Sequence, residues 1–407
     1  MIQLAGEADA NKAPIVKQAD RWATWLVVVS LAVAGATWLI TGELIRAVTV
    51  LVVFCPCAFI LATPTAVMAG IGNATKYGIL VRSGDALQRF SQINYMAFDK
   101  TGTLTHGKPE VVGFESFDSA LSSDGLLKLT ALAEQRSEHP LGKAILKYYF
   151  NHGGKPQEIQ NFVLATGMGV SAKVDGCSIL AGKADYLKRE NIDIPDMALQ
   201  AADGYLQRGA TVIYVSLDSK FAGIIALADV LRDTAKAMIA ELKSFGVRPV
   251  LLTGDNEATA RSIASQVGID DVKSNMLPEE KMKVIKEFTD SGKNICMIGD
   301  GINDALALKT AYASIAMGTV GSDIAVEAAD AVLVSDNIER VPYLFRMAQR
   351  SMKRINFNIT VAMIWNVIAV ILSTAGALNP VTAALVHNVG SVFVVISSAL
   401  LITNKEK

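Results

Sequence analysis

Three stretches of the sequence place polar and acidic residues where they could perform chemistry on a phosphate group. The stretch DKTGTLTHGKP begins at Asp99, directly after a largely apolar run at residues 93–98. Two further apolar runs end in the glycine-containing turns of RPVLLTGDN and NICMIGDGIND, which contribute Thr253, Asp255 and Asp300. A carboxylate can attack phosphorus and form an acyl phosphate, which divides one difficult step into two easier ones. Asp99 is therefore a candidate nucleophile.

A nucleophilic aspartate needs a divalent cation and a positive side chain beside it, because phosphoryl transfer relies on positioning and charge neutralisation. Asp99 and Asp300 offer the hard oxygen ligands that Mg²⁺ prefers. Lys281 in LPEEKMK can contact the phosphoryl group. Each aspartate taken alone could simply cap a helix. Three acidic turns in one chain favour the catalytic interpretation.

A parallel sheet is the element that would bring these turns together. In an open α/β sheet, ligands bind outside the carboxyl ends of the strands, which is where the three acidic turns would lie. Helical patterns at residues 234–245 and 279–288 separate the apolar runs and predict a doubly wound α/β fold. Residues 119–219 interrupt this order with helix and glycine signals of their own, and we predict that they form an inserted domain.

Four apolar segments indicate an integral membrane protein, since each is close to the ~20 residues that span a bilayer as a helix. The two short connections within the segment pairs contain Arg46 as their only basic residue, whereas basic residues flank the other segment ends. The positive-inside rule therefore places both termini and residues 72–357 in the cytoplasm. Buried helices of a soluble protein would not explain this charge asymmetry. The segments are residues 22–40, 47–71, 359–377 and 381–402.

Composition narrows the class further. The 407 residues are 51% hydrophobic, and a net charge of −1 gives no indication of a nucleic-acid partner. The cysteines do not have the spacing of a disulfide framework, and we expect all of them to be reduced. They are Cys55, Cys57, Cys177 and Cys296.

The motif FCPCAF in the second apolar segment is a candidate site for a soft metal ion. Pro56 removes an amide hydrogen and clashes with the preceding turn, so the helix should unwind locally and can turn the sulfurs of Cys55 and Cys57 toward one cavity. Thiolates select soft metals such as Cu(I) and Zn. His387, the only histidine inside a predicted span, could complete the site, although a hydrogen bond to a neighbouring helix is almost as good an explanation.

The motifs DKTGTLT, TGDN and GDGINDA resemble those of the P-type ATPases, ion pumps phosphorylated on aspartate, whose phosphorylation domain belongs to the haloacid dehalogenase superfamily. The resemblance implies that Asp99 is the phosphorylated residue and that Thr101 and Asp300 help it to hold Mg²⁺. It also implies that Thr253 and Lys281 contact phosphate.

The same resemblance adds Asn303 and Asp304, which would complete the pocket, with Asp255 as a further member of the catalytic group. Thr101 stands where phosphatases of the superfamily carry a second aspartate. This difference fits a phosphoenzyme that persists until the protein changes conformation.

The motifs SEHPL and TGMGV are similar to those of the nucleotide-binding domain of the heavy-metal-transporting branch. By this resemblance Glu134, His139, Gly167 and Gly169 hold ATP. The match is incomplete, because Lys183 stands where that branch usually has asparagine. The last two spans also match neither the copper-pump nor the zinc-pump pattern, so the metal is left open.

The resemblance implies an order of domains in which the chain is the carboxyl-terminal part of a pump: a fragment, a truncated gene model or one half of a split pump. In the last case a separate chain would carry the actuator domain. The expected divisions are a stalk at residues 1–21, two membrane helices with the Cys-Pro-Cys site at 22–72, the phosphorylation domain at 73–118 and 220–345, the inserted α+β nucleotide-binding domain at 119–219, and two membrane helices at 346–407.

The favoured interpretation is ATP-driven transport, most simply export, of a soft or borderline cation such as Cu, Zn or Cd through an aspartyl phosphate. Its partners would be the lipid bilayer, Mg²⁺ with ATP, and the transported metal ion, with no nucleic acid. Two alternatives stay open from the residues alone. One is a membrane-tethered phosphatase, and the other is a metal-binding membrane protein that does not transport.

Overall fold

The computed structural model describes residues 14–300, 304–318, 327–335 and 337–403. The chain divides into two compact units. The first comprises Met1–Ala97, Glu241–Arg248 and Pro278–Lys407, and the second comprises Phe98–Ala240 and Pro249–Leu277.

Helices and strands alternate along the cytoplasmic part, and long helices lie toward both ends of the chain. The helices of the described residues are α1 (Pro14–Thr41), α2 (Leu44–Val53), α3 (Cys57–Lys76), α4 (Gly84–Phe90), α5 (Ser123–Ala133), α6 (Pro140–Asn151), α7 (Ala184–Arg189), α8 (Asp196–Leu206), α9 (Ala235–Ser244), α10 (Glu257–Val267), α11 (Pro278–Asp290), α12 (Ala305–Thr310), α13 (Arg340–Thr374) and α14 (Pro380–Ala399). The strands are β1 (Ile79–Val81), β2 (Tyr95–Asp99), β3 (Thr105–Ser116), β4 (Gln160–Ala165), β5 (Gly169–Val174), β6 (Cys177–Gly182), β7 (Thr211–Leu217), β8 (Lys220–Leu231), β9 (Arg248–Leu252), β10 (Asp271–Lys273), β11 (Ile295–Gly299), β12 (Ala313–Met317) and β13 (Ala331–Leu333).

Parallel strands form the centre of the cytoplasmic part of the first unit. The neighbouring strands run in the order β1-β13-β12-β11-β2, with β11, β12 and β13 mutually parallel and β1 antiparallel at the edge. Every residue of β11 and β12 is buried. Strands buried on both faces read as continuous apolar runs, which explains why these runs showed no alternation in the sequence. The predicted α/β class is confirmed.

A six-stranded antiparallel sheet forms the core of the second unit, in the order β3-β8-β7-β6-β5-β4. Alternate residues of β7 and β8 point to opposite faces. Ile213 and Ile225 belong to the core that includes residues of α5 and α6, whereas Val212 and Ile224 belong to the core that includes residues of α7 and α8. The sheet is therefore covered on both sides. Strands β4 to β7 lie within the predicted insertion at residues 119–219, whereas β3 and β8 lie outside it. The second unit also contains the parallel pair β9 and β10.

Four apolar stretches of the described residues are long enough to cross a membrane. In the 18-residue apolar window of each stretch, only 17% of Thr24–Thr41 and 33% of Leu44–Lys76 is buried within the protein, as expected for helices whose outer faces contact lipid. The third, Arg340–Thr374, is the single helix α13, so its 35 residues extend for ~50 Å and exceed a bilayer core of ~30 Å. Its basic first turns therefore project beyond the membrane. The fourth is Pro380–Thr403.

Polar side chains connect the membrane helices α13 and α14. Asn358 is fully buried, its amide group donates to Ser398 Oγ over 2.9 Å, and its Oδ1 accepts from Ser397 Oγ over 2.7 Å. Arg354 donates to the same Ser397 hydroxyl over 3.2 Å. Interhelical hydrogen bonds of this kind replace a hydrophobic driving force, which is absent between helices in lipid.

Replacing Asn358 by leucine should destabilise the α13–α14 contact, because both serine hydroxyls lose a buried partner. We expect a loss of about 0.5–2 kcal/mol in the free energy of unfolding in detergent, measured by reversible denaturation. Asn356→Leu is the matched control, since Asn356 lies on the same helix but is exposed. Equal stability of the two variants would contradict a role for this hydrogen-bond pair.

Candidate functional site

Asp99 ends β2 and is 6% exposed. The chain then turns through Lys100–Leu104, where Gly102 has φ +70°, a conformation that side chains with a Cβ adopt only at a cost. Lys100 Nζ lies 2.7 Å from Asp255 Oδ2. Thr253 Oγ1 donates to the same carboxylate over 2.9 Å. The structure thus brings together Lys100, Thr253 and Asp255 within the second unit.

The first unit contains the other acidic turn. Asp300 directly follows the buried strand β11 and is 9% exposed. Lys281, near the start of α11, donates to Asp304 Oδ1 over 2.8 Å, and both side chains are buried. A Cβ on Gly299 would lie 2.8 Å from Asp304 Oδ2, so glycine is required for the close approach of this carboxylate. Asn303 lies outside the described residues.

Each of the two acidic turns offers the kind of ligand that suits a magnesium ion. Asp99 is a buried carboxylate in the second unit, Asp300 is one in the first, and Mg²⁺ prefers hard oxygen ligands of this type. Asp304 Oδ2 is a buried acceptor without a hydrogen-bond partner among the described residues. One oxygen of this carboxylate accepts from Lys281 and the other has no donor within the described residues, as expected beside a site that binds a cation.

Glu134 is a buried acid at the start of a short 3₁₀ turn, Glu134–Arg136. Burial raises the pKa of its carboxyl group, and a hydrogen bond from Ser137 opposes this effect. Its Oε2 has no hydrogen-bond partner within the described part of the chain. A Cβ on Gly142 would lie 2.3 Å from that oxygen, so α6 can approach the carboxylate only with glycine there.

His139 is the N-cap of α6 and is exposed. Its Nδ1 accepts from the backbone N–H of Leu141 over 3.3 Å, and Pro140 occupies the first helical position. This contact orients the ring and leaves its other edge toward solvent. The ordinary capping function and a contact with nucleotide are therefore compatible.

The two predicted glycines lie where β4 turns into β5. Gly167 has φ +74°, and the space that its Cβ would take is open, so a ligand can approach the backbone closely. Gly169 pairs with Gly182 of β6, and a Cβ on Gly169 would lie 2.2 Å from the carbonyl oxygen of Ala181. Sequence reasoning missed Gly182, because its pairing with Gly169 depends on the register of β5 and β6, which no local pattern gives. The open space beside Gly167 and the unpaired Glu134 oxygen fit a bound nucleotide.

The membrane site forms at a break between two helices. α2 ends at Val53, and α3 begins at Cys57. One ligand atom each of Cys55, Cys57 and His387 lies within 4.8 Å of the others. His387 Nδ1 is buried and has no hydrogen-bond partner in the residues described. The predicted unwinding at Pro56 is therefore present, and the three predicted ligands are neighbours.

The expectation that all four cysteines are reduced is wrong for one pair. Cys55 and Cys57 form a disulfide across a Cα–Cα distance of 5.5 Å. Sulfurs two residues apart point to different sides of a regular helix, and the break at Pro56 removes that restriction. Cys177 and Cys296 are free thiols. Metal binding by the pair requires the reduced form, because the thiolate is the ligand.

Residues 93–311 match the family model of the haloacid dehalogenase-like hydrolases. The chain is also 31% identical to the catalytic domain of the CPx-ATPase CopB-B, whose structure it covers over 97% of its length with a TM-score of 0.53, using 67% of this chain. The chain belongs to the heavy-metal-transporting P-type ATPases.

Two further relatives match almost the whole of this ATPase chain. A copper-exporting P-type ATPase of Staphylococcus haemolyticus is 38% identical over 98% of this chain and 50% of its own. The crystal structure of a zinc-transporting PIB-type ATPase in an E2.Pi state is 32% identical, with a TM-score of 0.82 over 98% of this chain and 66% of its own. The chain therefore spans about half the length of the curated relative.

Glu134→Gln should stabilise the region around α5 at neutral pH. The raised pKa means that the folded state binds the proton more tightly, so the free energy of unfolding falls as pH rises from the unfolded value of 4.5 through the folded one. Glutamine removes this loss, and we expect a gain on the order of 1 kcal/mol at pH 8 and none at acidic pH.

Native-state hydrogen exchange of the α5 amides at pH 5 and pH 8 measures this difference. Glu138→Gln is the control, because Glu138 is exposed. A pH-independent gain for Glu134→Gln would show that the charge of Glu134 is not the cause.

Proposed function

We propose that this ATPase chain carries the phosphorylation, nucleotide-binding and metal-translocating parts of an ATP-driven exporter for a soft or borderline transition metal. The observation that carries the proposal is the cluster of two sulfurs and one imidazole at a helix break in the membrane part, in a chain that also holds a buried strand-end aspartate. Nothing in the structure or the comparisons supports a separate actuator chain, and the proposal does not include one.

Asp99 is the proposed phosphate acceptor. One of its carboxylate oxygens attacks the γ-phosphorus of ATP, a new P–O bond forms, the bond to the bridging oxygen breaks, and ADP leaves with the electron pair. By the family resemblance, Asp99, Thr101 and Asp300 would hold Mg²⁺, which would supply positive charge to the transferring group. Thr253 and Lys281 hold the phosphate oxygens.

The contacts of two basic residues support these roles. Lys281 is fixed by the buried Asp304, so its ammonium group is placed without having to be ordered when phosphate arrives. Asp255 likewise fixes the ammonium group of Lys100 through an ion pair. It also accepts the hydrogen bond that orients the Thr253 hydroxyl. His139, Glu134 and the glycines of the β4–β5 turn bind the nucleotide.

Thr101 supports a pump in preference to a phosphatase. Its side chain cannot act as the acid–base carboxylate that rapid hydrolysis of the phosphoenzyme would use. Residues of the inserted antiparallel domain would in addition be superfluous for an enzyme that takes small phosphate esters.

The transported ion would bind Cys55 and Cys57 as thiolates, with His387 as a nitrogen ligand. Copper and zinc both accept this donor set, and the relatives are named for copper in one case and zinc in another. The thiolates should supply most of the affinity, because they are the strongest soft donors at the site. The imidazole should act on selectivity through geometry and ligand number.

The phosphorylation step can be tested with γ-labelled ATP and Mg²⁺ on the purified chain in detergent. We expect an acid-stable, alkali-labile label on wild type and none on Asp99→Asn. Asp271→Asn is the control, since Asp271 is exposed on β10. Equal labelling of Asp99→Asn and wild type would refute the assignment of Asp99.

The metal site can be tested by equilibrium binding of Cu(I), Zn(II) and Cd(II) under reducing conditions. Cys55→Ser/Cys57→Ser should weaken every metal by about 100-fold or more, whereas His387→Ala should change their ranking more than the total capacity. Cys177→Ser and His106→Ala are the matched controls, because both residues lie in the second unit. Unchanged affinity of the double serine variant would contradict the site, and an unchanged ranking in His387→Ala would contradict the role of the imidazole.

A further inference from the structure

A cleft in the second unit lies between β3 and α6 and has a volume of about 360 Å³. Residues 107–111 of β3 form one wall, and Pro140, Ala144 and Tyr148 of α6 contribute to the other. The volume suits one small molecule, since ligand pockets measure roughly 300–1,000 Å³. Among the described residues, none of those assigned above to phosphorylation, nucleotide binding or metal binding lines this cleft.

Three lysines line the cleft, and we call it the lysine cleft. Lys108 belongs to β3, Lys143 and Lys147 lie one turn apart on α6, and all three are exposed. Their ammonium groups have no ion-pair or hydrogen-bond partner in the part of the chain that the structure describes. Glu110 is the acid among the lining residues, so the lining carries a formal charge of +2. The cleft should therefore attract an anion.

The lysine cleft and the proposed nucleotide site lie on opposite sides of α6. The lining positions 140, 143, 144, 147, 148 and 151 recur at intervals of three and four residues, so they share one face of the helix. The buried residues of α6, Gly142 and Ile145, lie on the opposite face. Gly142 is the residue that closely approaches the Glu134 carboxylate. The helix therefore separates the cleft from Glu134.

The cleft also offers an apolar surface, to which the ring of Tyr148 contributes. This ring stacks on His152 with a centroid distance of 4.2 Å and meets Phe114 edge to face at 5.9 Å. Its two neighbours fix its orientation, so the surface is formed before a ligand arrives. Pro109 and Val111 add apolar surface from β3. An aromatic or compact hydrocarbon group can be covered here.

The charge of the lining favours a phosphate group over a carboxylate group. A phosphate monoester carries about −1.5 to −2 charges at neutral pH and offers three strong acceptor oxygens, whereas a carboxylate carries a single charge. Three ammonium groups can each donate to one of these oxygens, and hydrogen bonds between charged partners are roughly twice as strong as neutral ones. The dianion also balances the formal charge of +2.

We propose that the lysine cleft binds a soluble phosphate monoester with an aromatic or compact apolar body. Lys108, Lys143 and Lys147 contact the phosphate group, and Tyr148 with its apolar neighbours covers the body. The inference goes beyond the proposed function and does not depend on it, since these residues take no part in phosphoryl transfer or metal binding.

The test uses the full chain in phosphatidylcholine nanodiscs, with pyridoxal 5′-phosphate as the probe. This aromatic phosphate monoester carries an aldehyde that condenses with a lysine amine, releasing water, and borohydride reduces the resulting imine to a stable amine. Mass spectrometry of the digested protein then locates the label. We expect half-maximal labelling of Lys143 and Lys147 at a probe concentration about tenfold or more below that for Lys188, which is exposed on α7.

Pyridoxal is the matched control probe, because it carries the same aldehyde without the phosphate, and it should label the cleft lysines and Lys188 alike. Lys108→Gln should raise the half-maximal concentration for Lys143 and Lys147 by about tenfold, since one hydrogen bond between charged groups is lost. Lys173→Gln, which changes an exposed residue of β5, should leave it unchanged. Equal labelling of the cleft by both probes would overturn the site.

Two competitors define the ligand further. Saturating Mg²⁺-ATP should not protect Lys143 or Lys147, and protection would overturn the inference because the cleft would then be a nucleotide site. Phosphatidate in the nanodisc presents the same phosphate monoester on a lipid and should leave the labelling unchanged. Suppression of the label by phosphatidate would overturn the assignment to a soluble ester and indicate a lipid headgroup.

Discussion

A carboxylate in a protein interior must be paired with a cation or take up a proton, because an isolated buried charge costs several kcal/mol of free energy. The cytoplasmic part of this ATPase meets that requirement at one acidic turn after another. Asp255 forms an ion pair with Lys100, Asp304 with Lys281, and Asp330 with Arg89. Each pair joins a strand end to a side chain from another element. The loops at the strand ends are therefore held by charge pairing, and the conformations proposed for catalysis are consequences of it.

In the membrane part, the constraint is backbone hydrogen bonding and not charge pairing, and it also determines where an irregular segment can form. In lipid, backbone groups must find partners inside the protein, so an unwound helix survives only where it lines a cavity or is covered by neighbours. The break between Val53 and Cys57 is such a place, and α13 and α14 both pack in clusters with the helices on either side of it. The backbone defect that Pro56 introduces is what allows the two sulfurs to approach one imidazole.

Much of this arrangement followed from the sequence, and the part that did not has a physical explanation. Apolar runs ending in acidic turns located Asp99, Thr253 and Asp300, and Pro56 located the helix break, because these are local signals. The pairing of Lys281 with Asp304 spans 23 residues of sequence. The hydrogen bond from Arg232 to the carbonyl oxygen of Gly102 spans 130. Contacts of that range depend on how strands are ordered. The disulfide of Cys55 and Cys57 was also missed, because the cysteine spacing does not resemble a disulfide framework and the approach of the two sulfurs at the helix break was interpreted as a metal site.

The remaining unpaired atoms are informative because of where they lie. Among the described residues, the ionisable side chains with a buried atom that lacks a hydrogen-bond partner are Glu134, Asp229, Asp304 and His387. Each such atom lowers the free energy of unfolding by roughly 1–3 kcal/mol, so selection for stability alone would replace the residue that carries it. Glu134 and His387 belong to the proposed nucleotide and metal sites, Asp304 pairs with the proposed phosphate ligand Lys281, and Asp229 accepts from Thr105 at the end of the loop that follows Asp99. Unmet hydrogen-bonding capacity at these points is what a protein must keep if ligands and charged groups are to bind there during its cycle.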